Sequence, residues 1–242
     1  MVRTIFWYAH FVVSLMGKIP GIFTIERLQK QGKEKEAEDY VHEITSRWAL
    51  SQVKASGAKV SATGLENVPS EGAVVFISNH QSNFDIAVLM SYINKPKGYI
   101  SKVQMKKIPV LRTWMKYMHC VFIERGNPRK ALEAISEGVD TLKKGYSLVI
   151  FPEGTRSKGP KMGHFKPGSF KLATKAKVPI VPITINGTYK LMEQNGGKIK
   201  KADVMIKVHP AIDTKGLSKE ALEELPNRVR EIIKGGLEGN ER

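Results

Sequence analysis

The stretch ISNHQSNFDIAV, residues 77–88, places His80 and Asp85 five residues apart, just past a run of β-branched and aromatic residues. An aspartate that accepts from one imidazole nitrogen fixes the tautomer and stabilises the imidazolium, which leaves the other nitrogen to take a proton. The pair is two thirds of a nucleophilic triad, and its missing hydroxyl has two open sources. One is Ser82, only two residues from the histidine and inside the same turn. The other is the substrate, with His80 as general base on an alcohol that attacks an activated acyl group. The second is preferred, because Ser82 shares the base's own turn. A histidine and an aspartate at this spacing also occur as a plain hydrogen-bonded loop pair, so other residues must decide.

A second cluster, FPEGTRS at 151–157, closes another apolar run. Glu153 is followed by Gly154, which lets backbone approach a ligand closely, and then by Thr155, Arg156 and Ser157, all donors to an anion. Arg156 suits bidentate phosphate binding better than the lysines near it. In VFIERG, Arg125 follows a third apolar run. VPIVPITI, 178–185, carries prolines that suit an edge or irregular strand and reads as structural.

These clusters need elements to hold them. AVVFIS (73–78), GYIS (98–101), CVFIE (120–124), SLVIF (147–151), IVPITI (180–185) and DVMIKV (203–208) read as short strands. Helical patterns lie between them at about 84–93, 128–144 and 169–177, with a last one near 218–234. The alternation predicts an α/β domain with a mixed, largely parallel central sheet flanked by helices. In such sheets ligands bind beyond the carboxyl ends of the strands. His80, Arg125 and Glu153 each fall one or two residues past a predicted strand end. TGLENVPSEG, 63–72, is turn-rich and leads into the first of these strands.

The N-terminus is of another kind. IFWYAHFVVSLM, 5–16, would span only about 18 Å as a helix, against a hydrocarbon core of about 30 Å. Continuing to residue 25 would supply the length, but Gly17, Lys18, Pro20 and Gly21 fall in the middle. The expectation is a broken insertion into one leaflet. No small-residue cleavage site follows, so the segment is expected to be retained. A long helical pattern over about 23–55 comes next, with Ala37, Val41, Ile44 and Trp48 on one stripe and Gly32 as an interruption. The expected organisation is an N-terminal membrane-associated helical hairpin at 1–58 and the α/β domain at 59–242.

Charge fits that organisation. The 242 residues carry 39 Lys and Arg against 23 Asp and Glu, a net charge of +16 that calls for a polyanionic partner. Nucleic acid and an anionic membrane surface are the two candidates. Ten cations against Glu124 alone lie between Lys95 and Lys130, interleaved with Met105, Ile108, Leu111, Trp114, Met115 and Met118. That mixture suits a bilayer surface. A nucleic-acid module would leave the apolar N-terminus unexplained, so the membrane is preferred. A single cysteine, Cys120, excludes an intramolecular disulfide and a Cys-rich metal site.

The four motifs, NHQSNFD, VFIER, FPEGTRS and VPIVPITI, taken in order, resemble those of the glycerolipid acyltransferases, most closely the bacterial 1-acyl-sn-glycerol-3-phosphate (lysophosphatidic acid) acyltransferases. The resemblance covers about residues 60–210; HCVFIER lacks a glycine common ahead of the second motif. It implies that His80 and Asp85 are the catalytic dyad, and that Glu153, Gly154, Thr155 and Arg156, with Arg125, hold the glycerol phosphate of the acceptor. Lys102 matches a lysine common in relatives and is expected to add a phosphate contact. The implied reaction acylates the sn-2 hydroxyl of lysophosphatidic acid and yields phosphatidic acid for phospholipid biosynthesis. A related acyltransferase acting on glycerol 3-phosphate or another lysophospholipid would share the dyad. The implied donor is an acyl thioester of acyl carrier protein or coenzyme A, with no metal and no bound cofactor. The expected location is the cytoplasmic face of the cell membrane, peripheral or monotopic through the N-terminal helices.

Overall fold

The structure, a computed structural model, describes residues 1–124 and 126–238; Arg125, expected to face the acceptor, lies outside the described residues. The chain opens with α1 (Val2–Met16) and α2 (Ile19–Lys30). The break expected around residues 17–21 is slight. Gly17 and Lys18 keep right-handed helical backbone angles, and Pro20 is the second residue of α2, where its missing N–H has no intrahelical acceptor to lose. Val2–Lys30 thus forms a 29-residue run long and apolar enough to cross a membrane by length and composition.

The chain reverses at Gly32, whose φ of +71° is the left-handed region a glycine adopts without cost to a Cβ. The single helical pattern over 23–55 is therefore two helices, with α3 (Glu34–Ser56) packing on both α1 and α2. Ser14 Oγ accepts from Trp48 Nε1 at 3.0 Å and from Gln52 Nε2 at 2.9 Å, fastening α1 to α3. Leu15 and Ile25 are buried, while Ile5, Phe6, Val12, Val13 and Phe23 are exposed on the other side.

Seven strands follow: β1 (Lys59–Thr63), β2 (Val75–Ser78), β3 (Lys97–Lys102), β4 (Val121–Ile123), β5 (Ser147–Ile150), β6 (Ile180–Asn186) and β7 (Asp203–Val208). They form one sheet in the order β1-β7-β6-β2-β5-β3-β4, parallel throughout except for the β6–β7 pair. β1 is an edge strand with no fully buried residue, so KVSAT lacks the apolar run that betrays the other strands. The crossovers carry α4 (Phe84–Tyr92), α5 (Pro109–Tyr117), α6 (Pro128–Lys143) and α7 (Lys171–Ala176), and α8 (Lys219–Glu238) ends the described chain. The part of the basic stretch expected to lie at a bilayer surface contains α5, which buries Trp114 and Met115 against the protein itself.

The sheet is buried on both faces, as parallel sheets are. Phe76, Val149 and Val181 face Ala49 and Val53 of α3 and Phe84, Val88 and Leu89 of α4. Their neighbours Val75, Ile77, Leu148 and Ile150 face Ala134 and Leu142 of α6, Leu172 of α7, and Val229 and Ile233 of α8.

One strand corrects an expectation. VPIVPITI was expected as an edge or irregular strand, and of these the edge is excluded: β6 lies inside the sheet between β7 and β2. Pro182 is tolerated because its carbonyl accepts from His209 N at 2.9 Å on the β7 side, one residue beyond the last paired position, Ile183 with Val208. Its missing N–H faces that same frayed end, so the parallel ladder with β2 loses no donor.

Candidate active site

Five parallel strands, β6, β2, β5, β3 and β4, end on one edge of the sheet, and the residues just beyond them form the site. Past β2, Asn79 prolongs the ladder with its side chain: Nδ2 donates to Ile185 O, and Ile185 N donates to Oδ1, each at 2.8 Å. The chain then turns through His80 into α4, where Asp85 is the second residue. His80 Nδ1 donates to Asp85 Oδ2 at 2.7 Å. The same oxygen accepts from Gln81 N at 2.6 Å and Ser82 N at 2.8 Å, while Oδ1 accepts from Thr188 Oγ1. Four donors on a fully buried side chain suit a carboxylate anion. The five-residue spacing is thus a turn closed by its own aspartate.

With Nδ1 committed to Asp85, the imidazole presents Nε2 as its proton acceptor. The ring stacks on Phe151, centroids 4.1 Å apart and planes within 15°, and keeps 12% of its side chain exposed. Ser82 is fully buried, and its Oγ accepts from Phe84 N at 3.1 Å within the turn that leads into α4.

Past β5 the third motif wraps the same turn. Glu153 was expected on the acceptor, but its oxygens are engaged by backbone: Oε1 accepts from His80 N at 2.7 Å and Oε2 from Gly163 N at 2.8 Å. Burial pushes its carboxyl above the usual range, against the pull of those two N–H groups. In this geometry Glu153 braces the backbone of His80 to the loop at 163. Ser157 N donates to His80 O at 2.7 Å, a second brace.

Gly154 adopts φ +69°, and a Cβ there would lie 3.0 Å from Lys166 Nζ. Its N–H donates to Phe151 O and is not free for a ligand. Thr155 is exposed beside it. Arg156 lies 30% exposed, its Nη1 bonded to Glu193 Oε1 at 2.8 Å. Lys102 ends β3 with its side chain exposed. Lys102, Arg156 and Lys166 are thus cations at this edge.

Sequence reasoning missed Thr188, Glu193 and Lys166. The strand-end rule that found His80 and Glu153 points equally to Gly187 and Thr188 beyond β6. Gly187 has φ +95°, and a Cβ on it would collide with the Asp203 carbonyl. Its N–H donates to Gln81 Oε1 at 2.9 Å. For Glu193, in a short 3-10 turn, no sequence signal exists.

The family model described as acyltransferase matches residues 59–186. A chloroplastic 1-acyl-sn-glycerol-3-phosphate acyltransferase of Brassica napus is 39% identical over 71% of this chain, and one of Arabidopsis thaliana is 38% identical over the same share. This chain spans about half the length of those relatives, 50% and 48%. The 1-acyl-sn-glycerol-3-phosphate acyltransferase of Borreliella burgdorferi is 32% identical, with 76% of this chain and 73% of that protein aligned. The crystal structure of the 1-acyl-sn-glycerophosphate acyltransferase of Thermotoga maritima superposes with a TM-score of 0.86 at 30% identity, covering 100% of this chain and 98% of that one. The family match over more than half of the sequence and the shared fold show that the chain belongs to the acyltransferase family.

Proposed function

We propose that the chain transfers a fatty acyl group from a thioester to the sn-2 hydroxyl of 1-acyl-sn-glycerol 3-phosphate, releasing phosphatidic acid and a free thiol. The observation that carries this reading is the His80–Asp85 pair at 2.7 Å, with Ser82 fully buried and its Oγ accepting from Phe84 N. A base with no nucleophile of its own acts on the hydroxyl of a substrate.

His80 Nε2 takes the proton from the acceptor hydroxyl as its oxygen attacks the thioester carbonyl. Asp85 stabilises the imidazolium that forms. The tetrahedral adduct collapses with loss of the thiolate, which receives the proton back from His80; one C–O bond forms and one C–S bond breaks. Arg156, Lys102 and Lys166 hold the phosphate monoester, with Arg125 as a fourth cation. The donor is a thioester of acyl carrier protein or coenzyme A, and the step needs no metal or bound cofactor.

Membrane contact is assigned to the exposed apolar side of α1 and α2. Ile5, Phe6, Val12, Val13 and Phe23 lie on it. Trp7 packs against Phe84 at the start of α4, ring centroids 5.1 Å apart and planes tilted by 54°, and donates to Gln52 O at 3.1 Å. A helix so attached lies on the bilayer with the protein behind it, which favours insertion into one leaflet at the cytoplasmic face over a crossing.

The test is turnover by the purified protein with an acyl thioester and a panel of acceptors in mixed micelles. Lysophosphatidate should be the preferred acceptor, and His80→Ala should lose on the order of 10²- to 10⁴-fold in rate with its melting temperature kept. Preference for glycerol 3-phosphate or a phosphodiester lysolipid would reassign the acceptor, and near-normal turnover by His80→Ala would sink the mechanism.

A further inference from the structure

Glu193 stands at this site without belonging to any motif. Its side chain is 5% exposed; Oε1 accepts from Asn83 N at 3.0 Å and from Arg156 Nη1 at 2.8 Å. Oε2 is buried and has no hydrogen-bond partner among the described residues. An unsatisfied buried carboxylate oxygen is costly, and such groups persist where something other than stability requires them.

The two donors on Oε1 come from the two halves of the site. Asn83 immediately precedes α4, which carries Asp85, and Arg156 belongs to the motif past β5. A single oxygen thus joins the helix of the dyad to a guanidinium that reaches solvent on the same edge. The geometry points to Glu193 as a positioning residue: it fixes Arg156, and with it a bound phosphate monoester, at a set place relative to His80 and Asp85. This deepens the proposed function and rests on Arg156 contacting the acceptor phosphate. Glu193 touches no reacting atom and acts only through Arg156.

The sign of the effect separates this role from simple charge. If Glu193 mattered only as a negative charge near a phosphate, removing it would tighten acceptor binding. If it holds Arg156 in place, removing it weakens acceptor binding.

The experiment measures kcat and the KM of lysophosphatidate and of the thioester for the full-length protein and for E193Q, E193A, R156A and R156A/E193A, with melting temperatures. E193Q should raise the acceptor KM about 3-fold and E193A about 10-fold, because charge-assisted hydrogen bonds are roughly twice as strong as neutral ones. The thioester KM should not move, and in the R156A background E193A should add nothing. An acceptor KM that is unchanged or lowered in the glutamate variants, or an E193A effect undiminished in R156A, would overturn the inference while leaving the phosphate reading intact. A normal acceptor KM in R156A would overturn both. E193Q has the shape of the native side chain and carries the test should E193A fail to fold.

Discussion

Thr188, just beyond β6, donates its hydroxyl to Asp85 Oδ1, 103 residues away in sequence, while His80 holds the other oxygen of the same carboxylate. The aspartate is thereby fixed from both ends. Thr188→Val keeps the shape and removes the donor. The expected result is a fall in kcat on the order of 10-fold with both KM values unchanged, restored by Thr188→Ser. A Val variant at the native rate would show that the turn holds Asp85 without help.

Asp85→Asn should separate charge from shape. The Asn carbonyl can turn to the three donors that meet Oδ2, and its amide can then donate to Thr188, whose hydroxyl rotates to accept. Melting should therefore change little, by about 1 kcal/mol or less in stability. Turnover should fall on the order of 10³-fold, because the imidazolium loses its counter-charge. A large fall in melting temperature would mean that the carboxylate is needed first for the fold.

Lys97 supplies a pH dependence. It opens β3 buried, its Nζ donating to Ile93 O at 2.7 Å and Lys95 O at 3.0 Å, and burial brings its pKa down to about 7. The unfolded chain keeps this proton up to about pH 10.4. Between the two values unfolding takes up a proton, so the cost of burying this amine is full below about pH 7 and fades as pH rises towards about 10. Lys97→Met should gain most over the native protein at about pH 6 and lose that advantage towards about pH 10. Calorimetric melting across that range checks it, and a difference independent of pH would refute it.

Attachment to lipid should follow the outer side of the N-terminal helices. Ile5, Val13 and Phe23 are 70%, 71% and 66% exposed. Each apolar side chain buried in a bilayer contributes about 1.5 to 3 kcal/mol. The triple glutamate variant at these positions should leave anionic vesicles in sedimentation yet retain activity on a short-chain soluble acceptor. High salt should release the native protein only in part, since screening removes the electrostatic share alone. Complete release by salt would show that the helices do not insert.

Much of this site is written locally. His80, Gln81, Ser82 and Asp85 lie within six residues, and the turn that closes on the carboxylate is built from their own backbone N–H groups. The strand runs are legible because a sheet buried on both faces demands continuous β-branched stretches, and β2 reads VFIS with all four residues buried. β1 was illegible for the converse reason: an edge strand buries too little to leave a pattern. The place of β6 was left open between an edge and an irregular strand, because proline signals an edge only where its N–H would have been bonded, which depends on the neighbouring strands.

What the sequence by itself determined is the closeness of His80 and Asp85, the place of FPEGTRS just past a strand end and the layered α/β class, since each depends on contacts within a few residues or on one element's periodicity. Only the tertiary structure decided that Glu153 braces His80, that Thr188 completes the grip on Asp85 and that Glu193 meets Arg156. Those pairings span 73, 103 and 37 residues. They arise because parallel strands that are distant in sequence end side by side, and no local pattern records which loops a sheet will bring together.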